Sequence, residues 1–306
     1  MKKMITENHY LDLNNAGGAP NGLRLHFATA GDASAPVMLF LHGFPQAWFV
    51  WETLMAHYST RYFCVAPDLR GFNKSSKPVG IKAYSAKAVV GDVLQLVAHV
   101  SREPITLVAH DWGGAMAWNI AVQHPQLIKK FVAINSPHPI PFARDMRPGG
   151  AQVAASSYMD WLAQPGSETA LAKDQYALMD SFFNGMGQGA APWFTPAVRQ
   201  RYHAMWGHPS DTTEHPLTGS VNYYRATPLT PAKVAAQNIV LNPADWLVTV
   251  PTCVVWGEKD LALPPHLLDG LDRCVSDLTL RRVPHGNHWL IDAFPQDVIA
   301  AIGGFV

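Results

Sequence analysis

The sequence has no excess of charge of either sign. Lysine and arginine together number 23 among 306 residues, and aspartate and glutamate also number 23, so the formal net charge is zero. Charged residues make up only 15% of the chain, whereas hydrophobic residues make up 48%. Proteins that bind nucleic acids or anionic membranes usually carry a strongly basic surface. The composition excludes a broad basic footprint and favours a globular protein with a small neutral substrate.

Cysteine is scarce as well. Cys64, Cys253 and Cys274 are the three cysteines of the chain, so they cannot all pair with one another. Two of them lie in apolar, strand-like segments, which indicates buried free thiols. The sequence also lacks H-x-x-x-H and C-x-x-C spacings, so it predicts no metal site.

Long apolar runs are also missing. No stretch reaches the length of a membrane-spanning helix, and the N-terminal MKKMITENHYLDLNN has no apolar stretch of signal-peptide length. We therefore expect a cytoplasmic protein without a membrane span. No internal repeat or low-complexity linker is evident, and the oligomeric state stays open, with a homodimer as one option.

Short apolar segments alternate with helical segments over most of the chain. Segments 36–43, 62–68, 105–111, 130–137, 251–260 and 278–286 are typical of strands, and segments 85–100, 114–125 and 295–305 have helical spacing. This alternation predicts an α/β fold with a mainly parallel sheet that helices cover on both faces.

The stretch from Pro139 to Ala232 lacks strand-like segments and is rich in Trp, Tyr, Met and Pro. We interpret it as a helical insertion, with core segments 1–138 and 233–306 on either side of an inserted cap at 139–232. Gly185, Gly187 and Gly189 indicate a loop within it. Ligands of α/β sheets bind beyond the carboxyl ends of the strands, so a cap there would close a dry pocket.

The segment LVAHDWGGAMAW, residues 107–118, places Asp111 between a strand and a helix. This is the context of a nucleophile elbow, a tight turn that exposes a reactive side chain above the sheet edge. Small residues such as Ala109, Gly113 and Gly114 allow the backbones to approach closely there. On this segment alone, an aspartate that only caps the following helix is an equally good interpretation.

Distant segments supply the other groups that a nucleophile needs. Phe44 follows a strand within HGFP, where its N–H and that of Trp112 can form an oxyanion hole. Asp260 ends a strand in WGEKD, and His288 lies on the next loop in GNHW. Nucleophile, acid and histidine follow the chain order of α/β-hydrolase triads, which favours catalysis over a helix cap.

Together these segments resemble the epoxide hydrolases of the α/β-hydrolase fold. The matching strings are HGFPQAWFVW (42–51), PDLRGFNKSSKP (67–78), HDWGGAMAW (110–118), NSPHP (135–139), NYYR (222–225), WGEKD (256–260) and GNHW (286–289). The resemblance implies that Asp111 is the nucleophile, His288 the general base and Asp260 the acid that orients it, in a reaction that needs no cofactor.

An aspartate nucleophile also indicates which bond is broken. A serine alkoxide suits an sp2 acyl carbon, whereas a carboxylate that attacks an sp3 carbon leaves an alkyl ester, which water can then cleave. Asp111 therefore points to an epoxide or a carbon–halogen bond. His288 would deprotonate the water, and the N–H groups of Phe44 and Trp112 would stabilise the developing oxyanion.

The leaving alkoxide of an epoxide needs hydrogen-bond donors, and members of the resembled family use two cap tyrosines. The strings SYMDWLAQPG (157–166) and NYYR map them onto Tyr158 and Tyr224. The resemblance thus predicts that both are catalytic and, with Phe44 and Trp112, bind the substrate; without it, aromatic packing would be preferred. The predicted activity converts a small, largely apolar epoxide and water into a vicinal diol.

Two alternatives remain at this point. A haloalkane dehalogenase would use the same nucleophile, with the Trp112 indole holding the halide, but its second donor is often an Asn where this chain has Phe44. Fluoroacetate dehalogenases, also similar in HGFPQ, carry arginines where this chain has Trp112 and Ala115. A non-catalytic ligand-binding protein of the same fold could lose triad members freely, whereas this chain retains them.

Three further histidines are expected to have structural roles. His42 and His110 precede the predicted catalytic turns, where we expect them to make hydrogen bonds rather than bind a metal. His285 lies three residues before His288 and is expected to be a loop residue.

Overall fold

The computed structural model describes residues 6–14, 22–185 and 191–306. The strands are β1 (Glu7–Leu13), β2 (Leu23–Ala30), β3 (Val37–Leu41), β4 (Phe63–Pro67), β5 (Ile105–His110), β6 (Ile128–Ile134), β7 (Thr252–Gly257) and β8 (Leu278–Val283). They form one sheet of order β1-β2-β4-β3-β5-β6-β7-β8. Strands β3 to β8 are parallel, while β2 pairs antiparallel with β1 and β4. The predicted α/β fold with a mainly parallel sheet is confirmed.

The helices occupy the connections between the strands. They are α1 (Glu52–Tyr58), α2 (Ala86–Val100), α3 (Asp111–Gln123), α4 (Pro139–Asp145), α5 (Gln152–Ala155), α6 (Ser157–Leu162), α7 (Ser167–Gly185), α8 (Pro196–Trp206), α9 (Thr218–Ala226), α10 (Pro231–Gln237), α11 (Leu290–Ala293) and α12 (Pro295–Gly303). Within the described ranges, none of these helices has both the length and the apolar character needed to cross a membrane.

The hydrophobic core lies on both faces of the sheet. Every residue of β3, β5 and β7 is buried, as expected for parallel strands that are covered on both sides. Helix α1 contacts α12, and α2 contacts α3. Helices therefore flank the sheet, and the carboxyl ends of its parallel strands remain available for a site.

The structure differs from the sequence predictions at the N-terminal edge and at one helix start. Strands β1 and β2 form an antiparallel pair that was not predicted, because β1 is mostly exposed and polar, and buried polar residues interrupt the apolar pattern of β2. Helix α3 begins at Asp111, three residues before the predicted start. Its first turn contains Gly113 and Gly114, which are poor helix formers and hid this start.

Helices α4 to α10 lie between β6 and β7, and the described residues of this stretch form no strand. Helix α6 contacts α7, α9 and α10. Helix α7 is interrupted at residues 173–176, where the backbone leaves the helical conformation. The loop predicted at 185–189 falls largely on residues 186–190, which lie outside the described ranges.

Three contacts anchor these inserted helices to the segments that follow β3 and β4. The indole N–H of Trp206 donates to the carbonyl of Pro45 at 2.8 Å, and the hydroxyl of Tyr223 donates to the carbonyl of Arg70 at 3.0 Å. Arg201 forms a bidentate pair with Glu52, at 2.6 and 2.7 Å. Because these partners follow β3 and β4 in the chain, the insertion lies over the carboxyl ends of the strands.

Candidate active site

Asp111 occupies a strained turn between β5 and α3. Its φ of +49° lies in the left-handed region that non-glycine residues seldom adopt. The turn depends on close backbone approach: a Cβ at Gly43 would lie 2.2 Å from Asp111 Oδ1, and a Cβ at Gly113 would lie 2.3 Å from the carbonyl oxygen of Leu41. The side chain is therefore held above the sheet edge, as the elbow pattern predicts.

Two backbone donors converge on the carboxylate of Asp111. The N–H of Phe44 donates to Oδ1 at 2.7 Å, and the N–H of Trp112 also bonds to the carboxylate. The Phe44–Pro45 peptide bond is cis. Both predicted oxyanion donors thus lie at the Asp111 carboxylate, with the N–H of Phe44 bound to Oδ1.

His288 and Asp260 complete a chain of groups at Asp111. The imidazole Nδ1 of His288 donates to Asp260 Oδ2 at 2.8 Å, which leaves Nε2 facing Asp111 Oδ2 at 3.9 Å. That gap is too long for a direct hydrogen bond. A water molecule beside these two atoms can reach both Nε2 and the Asp111 carboxyl group, an arrangement suited to activating water.

Asp260 is held by donors that the sequence analysis did not identify. Its Oδ1 accepts the N–H groups of Ala262 at 2.9 Å and Leu263 at 2.8 Å, and its Oδ2 accepts the Asn135 side chain at 2.5 Å. These bonds fix the orientation of the carboxylate. Asn135 lies in the NSPHP string, so the signal was present, but only the fold shows its partner.

Burial governs the acidity of the reacting groups. Burial raises the pKa of Asp111, and the opposing effects of His288, Phe44 and Trp112 offset part of this rise. Burial would lower the pKa of His288, but the charge and hydrogen bond of Asp260 and the charge of Asp111 raise it above its usual value. Asp260 therefore stabilises a protonated imidazole at His288.

Tyr158 of α6 and Tyr224 of α9 meet above Asp111. Their ring centroids are 6.1 Å apart, and the Tyr224 ring contacts Phe44 and Trp112 edge-on at 5.3 and 5.1 Å. Burial raises the pKa of both tyrosines well above the usual value, and the negative charge of Asp111 adds to the rise at each. Both hydroxyls thus remain protonated donors at neutral pH.

A cavity of about 300 Å³ lies against these groups. Asp111 is the only charged side chain among the described residues that line it, and the remainder of the lining is mainly apolar and aromatic. Its members include Trp112, Met116, Phe142, Tyr158, Met159, Tyr224, Leu241 and Trp246. A pocket of this size and lining suits a small neutral ligand with an apolar body.

The sequence analysis also did not identify a polar network behind the site. Gln46 donates from Nε2 to Asp292 at 2.6 Å, and its side-chain oxygen lies 3.1 Å from His110 Nδ1. His110 Nε2 donates to the backbone carbonyl of His288 at 2.9 Å. The network of Asp292, Gln46 and His110 therefore fixes the backbone at His288.

His42 makes structural hydrogen bonds, as predicted, and His285 lies in the turn after β8. His42 Nδ1 donates to the carbonyl of Gly43 at 2.9 Å, while Nε2 accepts the N–H of Leu69 at 3.0 Å. His285 is exposed and pairs with Asp297 at 3.1 Å. His285 therefore plays no part in the site around Asp111.

Known proteins resemble this chain over most of its length. The model of the α/β-hydrolase fold family matches residues 36–295. An AB hydrolase superfamily protein YfhM of Bacillus subtilis is 31% identical over 88% of this chain and 90% of its own length. Epoxide hydrolase 3 of the mouse is 28% identical over 91% of this chain and 72% of its own length.

Solved structures agree with the sequence relatives. A Bacillus megaterium epoxide hydrolase in complex with an inhibitor has a TM-score of 0.84 at 28% identity, covering 97% of this chain and 99% of its own. An epoxide hydrolase from hot-environment metagenomes has a TM-score of 0.80 at 33% identity, covering 99% of each chain. The predicted resemblance to epoxide hydrolases is confirmed, and the chain belongs to the α/β-hydrolase fold family.

Proposed function

We propose that this protein hydrolyses epoxides to vicinal diols through an ester of Asp111. The observation that carries the proposal is the convergence of one half-buried carboxylate and two protonated tyrosines, Tyr158 and Tyr224, on a single apolar cavity. Epoxide hydrolases among the relatives and the solved structures support the same activity. The carboxylate supplies a nucleophile, and the tyrosines supply acids for a leaving oxygen.

In the first step, Oδ2 of Asp111 attacks one ring carbon of the epoxide. The bond between that carbon and the ring oxygen breaks, and the ring oxygen takes the electron pair and a proton from Tyr158 or Tyr224. The product is an alkyl ester of Asp111 that carries the new hydroxyl on the neighbouring carbon. Oδ1 remains hydrogen-bonded to the N–H of Phe44 at 2.7 Å, which fixes the carboxylate for the attack.

In the second step, His288 removes a proton from a water molecule that attacks the ester carbonyl carbon of Asp111. The carbonyl oxygen Oδ1 becomes an oxyanion, which the N–H groups of Phe44 and Trp112 stabilise. Collapse of this intermediate breaks the ester bond and releases the diol. The leaving alkoxide takes the proton held by His288, and the proton on the newly added oxygen passes to the tyrosinate. Asp111 is then a carboxylate again and retains one oxygen from water.

The segment 139–232, which contains helices α4 to α9 and the start of α10, acts as a cap in this proposal. Tyr158 and Tyr224 both belong to this segment, whereas Asp111 belongs to the core. The cap would exclude bulk water during the first step, which strengthens the hydrogen bonds to the leaving oxygen. The substrate class is small, neutral and largely apolar, in agreement with the lining of the cavity.

The indole of Trp112 weighs against dehalogenation as the main activity. The indole lies edge-on to the Tyr224 ring at 5.1 Å, and its hydrogen bond to the Tyr224 hydroxyl opposes the rise in the pKa of that tyrosine, so the indole already has a partner other than a halide. That bond instead orients the Tyr224 hydroxyl, whose own proton can be directed at an epoxide oxygen.

The test compares three substrates on the purified protein: styrene oxide, 1-bromohexane and p-nitrophenyl acetate. We expect diol formation from styrene oxide, and we expect Asp111→Ala to abolish it. Halide release from 1-bromohexane without diol formation would show a dehalogenase. Turnover of the acetate alone, or epoxide turnover that survives in Asp111→Ala, would contradict the proposed nucleophile.

A further inference from the structure

Two spaces of very different size adjoin Asp111. The large cavity of about 300 Å³ extends along α3 past Trp112, Ala115 and Asn119. On the other side, beside His288 and Phe44, the free space is only about 10 Å³. A space of that size holds roughly one water molecule. The nucleophile therefore has room for an organic substituent on one side only.

Interlocked aromatic rings close the side that faces His288. Phe182 of α7 contacts Phe44 edge-on at 6.2 Å, and both line the small space together with Trp289. The indole N–H of Trp289 donates to the backbone carbonyl of Phe182 at 3.2 Å. Phe183, next in the chain, is fully buried against Trp289 at 4.7 Å. These contacts fix the barrier in position.

The two tyrosines determine how an epoxide lies between these spaces. Its oxygen must face Tyr158 and Tyr224 while the carboxylate of Asp111 approaches a ring carbon from the opposite side. The two ring carbons, and the groups attached to them, then lie on opposite sides of the line from Asp111 to the tyrosines. One set of substituents enters the large cavity, and the other meets Phe44, Phe182 and the water that His288 activates.

We propose that the natural substrates are terminal epoxides, with one unsubstituted ring carbon and one neutral, apolar arm on the other. The CH₂ group fits beside the small space without displacing the water required for the second step. The arm enters the large cavity, where Asp111 is the sole charged side chain among the described lining residues. Epoxides with bulky groups in trans on both ring carbons are poor substrates. This inference rests on the proposed epoxide hydrolysis and restricts its substrate class.

The experiment compares phenyl glycidyl ether, which has one arm, with trans-stilbene oxide, which has two. We expect a kcat/KM at least about 100-fold higher for the one-armed substrate, since steric exclusion from a packed site exceeds the cost of a single methylene group. Similar kcat/KM values for both would overturn the inference while leaving epoxide hydrolysis intact. Absence of turnover with either substrate, and with styrene oxide, would instead contradict the proposed function.

The variant Phe182→Ala tests whether Phe182 closes the side of Asp111 that faces His288. Phe182→Ala enlarges the small space, so it should raise the ratio of two-armed to one-armed kcat/KM at least about tenfold. Leu178→Ala is the matched control, because Leu178 is 37% exposed on the same helix and lines neither space. A folded Phe182→Ala protein with an unchanged ratio would contradict this assignment.

A second variant tests the large cavity and does not depend on the folding of Phe182→Ala. Ala115→Leu places a larger side chain in the path of the arm. It should reduce kcat/KM for phenyl glycidyl ether more than for 1,2-epoxypropane, whose arm is a single methyl group. An equal reduction for both substrates would show that the arm does not occupy this cavity.

Discussion

Replacement of Asp292 by asparagine should increase the stability of the protein at neutral and alkaline pH. Asp292 is a partly buried carboxyl group at the end of the network through Gln46 and His110. Burial raises the pKa of Asp292 to about 7, although hydrogen bonds from Gln46 and Tyr202 oppose the rise. An asparagine keeps a polar partner for Gln46 and cannot ionise.

The size of this gain in stability follows from the linkage between protonation of Asp292 and folding. The ordinary pKa of aspartate, 3.8 here, applies to the unfolded chain, so the folded state binds the proton of Asp292 more tightly by about three pKa units. At about 1.4 kcal/mol per unit this amounts to about 4 kcal/mol, which partial exposure of Asp292 reduces to about 2–4 kcal/mol. The stabilisation that comes from the bound proton of Asp292 is fully present below about pH 4, and it is lost as the pH rises through about 7.

The assay is urea unfolding of wild type and Asp292→Asn between pH 5 and pH 8.5, followed by far-ultraviolet circular dichroism. Because part of the contribution is already lost at pH 5, the variant should gain about 1–3 kcal/mol relative to wild type between pH 5 and pH 8.5, with most of the gain complete by pH 7.5. Asp297→Asn, at an exposed carboxylate, is the control and should follow wild type. Parallel curves for wild type and Asp292→Asn would refute the account of a carboxyl group that the fold keeps protonated.

Three further predictions concern the site and its turn. In His288→Gln the ester should accumulate, because loss of a general base slows hydrolysis by about 10²–10⁴-fold; an unmodified protein by mass spectrometry after epoxide consumption would contradict this. Tyr158→Phe combined with Tyr224→Phe should slow diol formation by a similar factor, and wild-type rates would remove the assigned acids. Gly114→Ala should lose about 1–3 kcal/mol in urea unfolding, because its Cβ would lie 2.2 Å from a buried serine hydroxyl. Gly303→Ala, whose Cβ would meet no atom within 4 Å, should not be destabilised, and equal losses would refute the steric argument.

The parallel core and the elbow were predictable because their signals are local. Apolar strand segments that alternate with helices indicate the sheet, and a strand followed by Asp111 and two glycines indicates the turn. Asp260 and His288 were found because each follows a strand, and the carboxyl ends of parallel strands meet at one edge of the sheet. Chain order and local pattern together were sufficient for these groups.

Other features depend on tertiary packing that no local pattern records. Gln46 and Asp292 are 246 residues apart, and only the closed fold brings them within hydrogen-bond distance. Phe182 lies in a segment whose composition is that of an ordinary amphipathic helix. Its neighbours in the sequence therefore do not indicate that it packs beside Phe44. The unequal spaces around Asp111 arise from that packing, and the sequence therefore left the shape of the substrate open.

The central claim, a covalent ester of Asp111, is tested most directly by a single turnover in water labelled with ¹⁸O. With protein in excess over styrene oxide, the attacking oxygen comes from Asp111, so the first diol should contain no label. The label should instead appear in the Asp111 carboxylate, located by mass spectrometry of the digested protein. Labelled diol in the first turnover, with an unlabelled Asp111, would show direct attack by water and contradict the account.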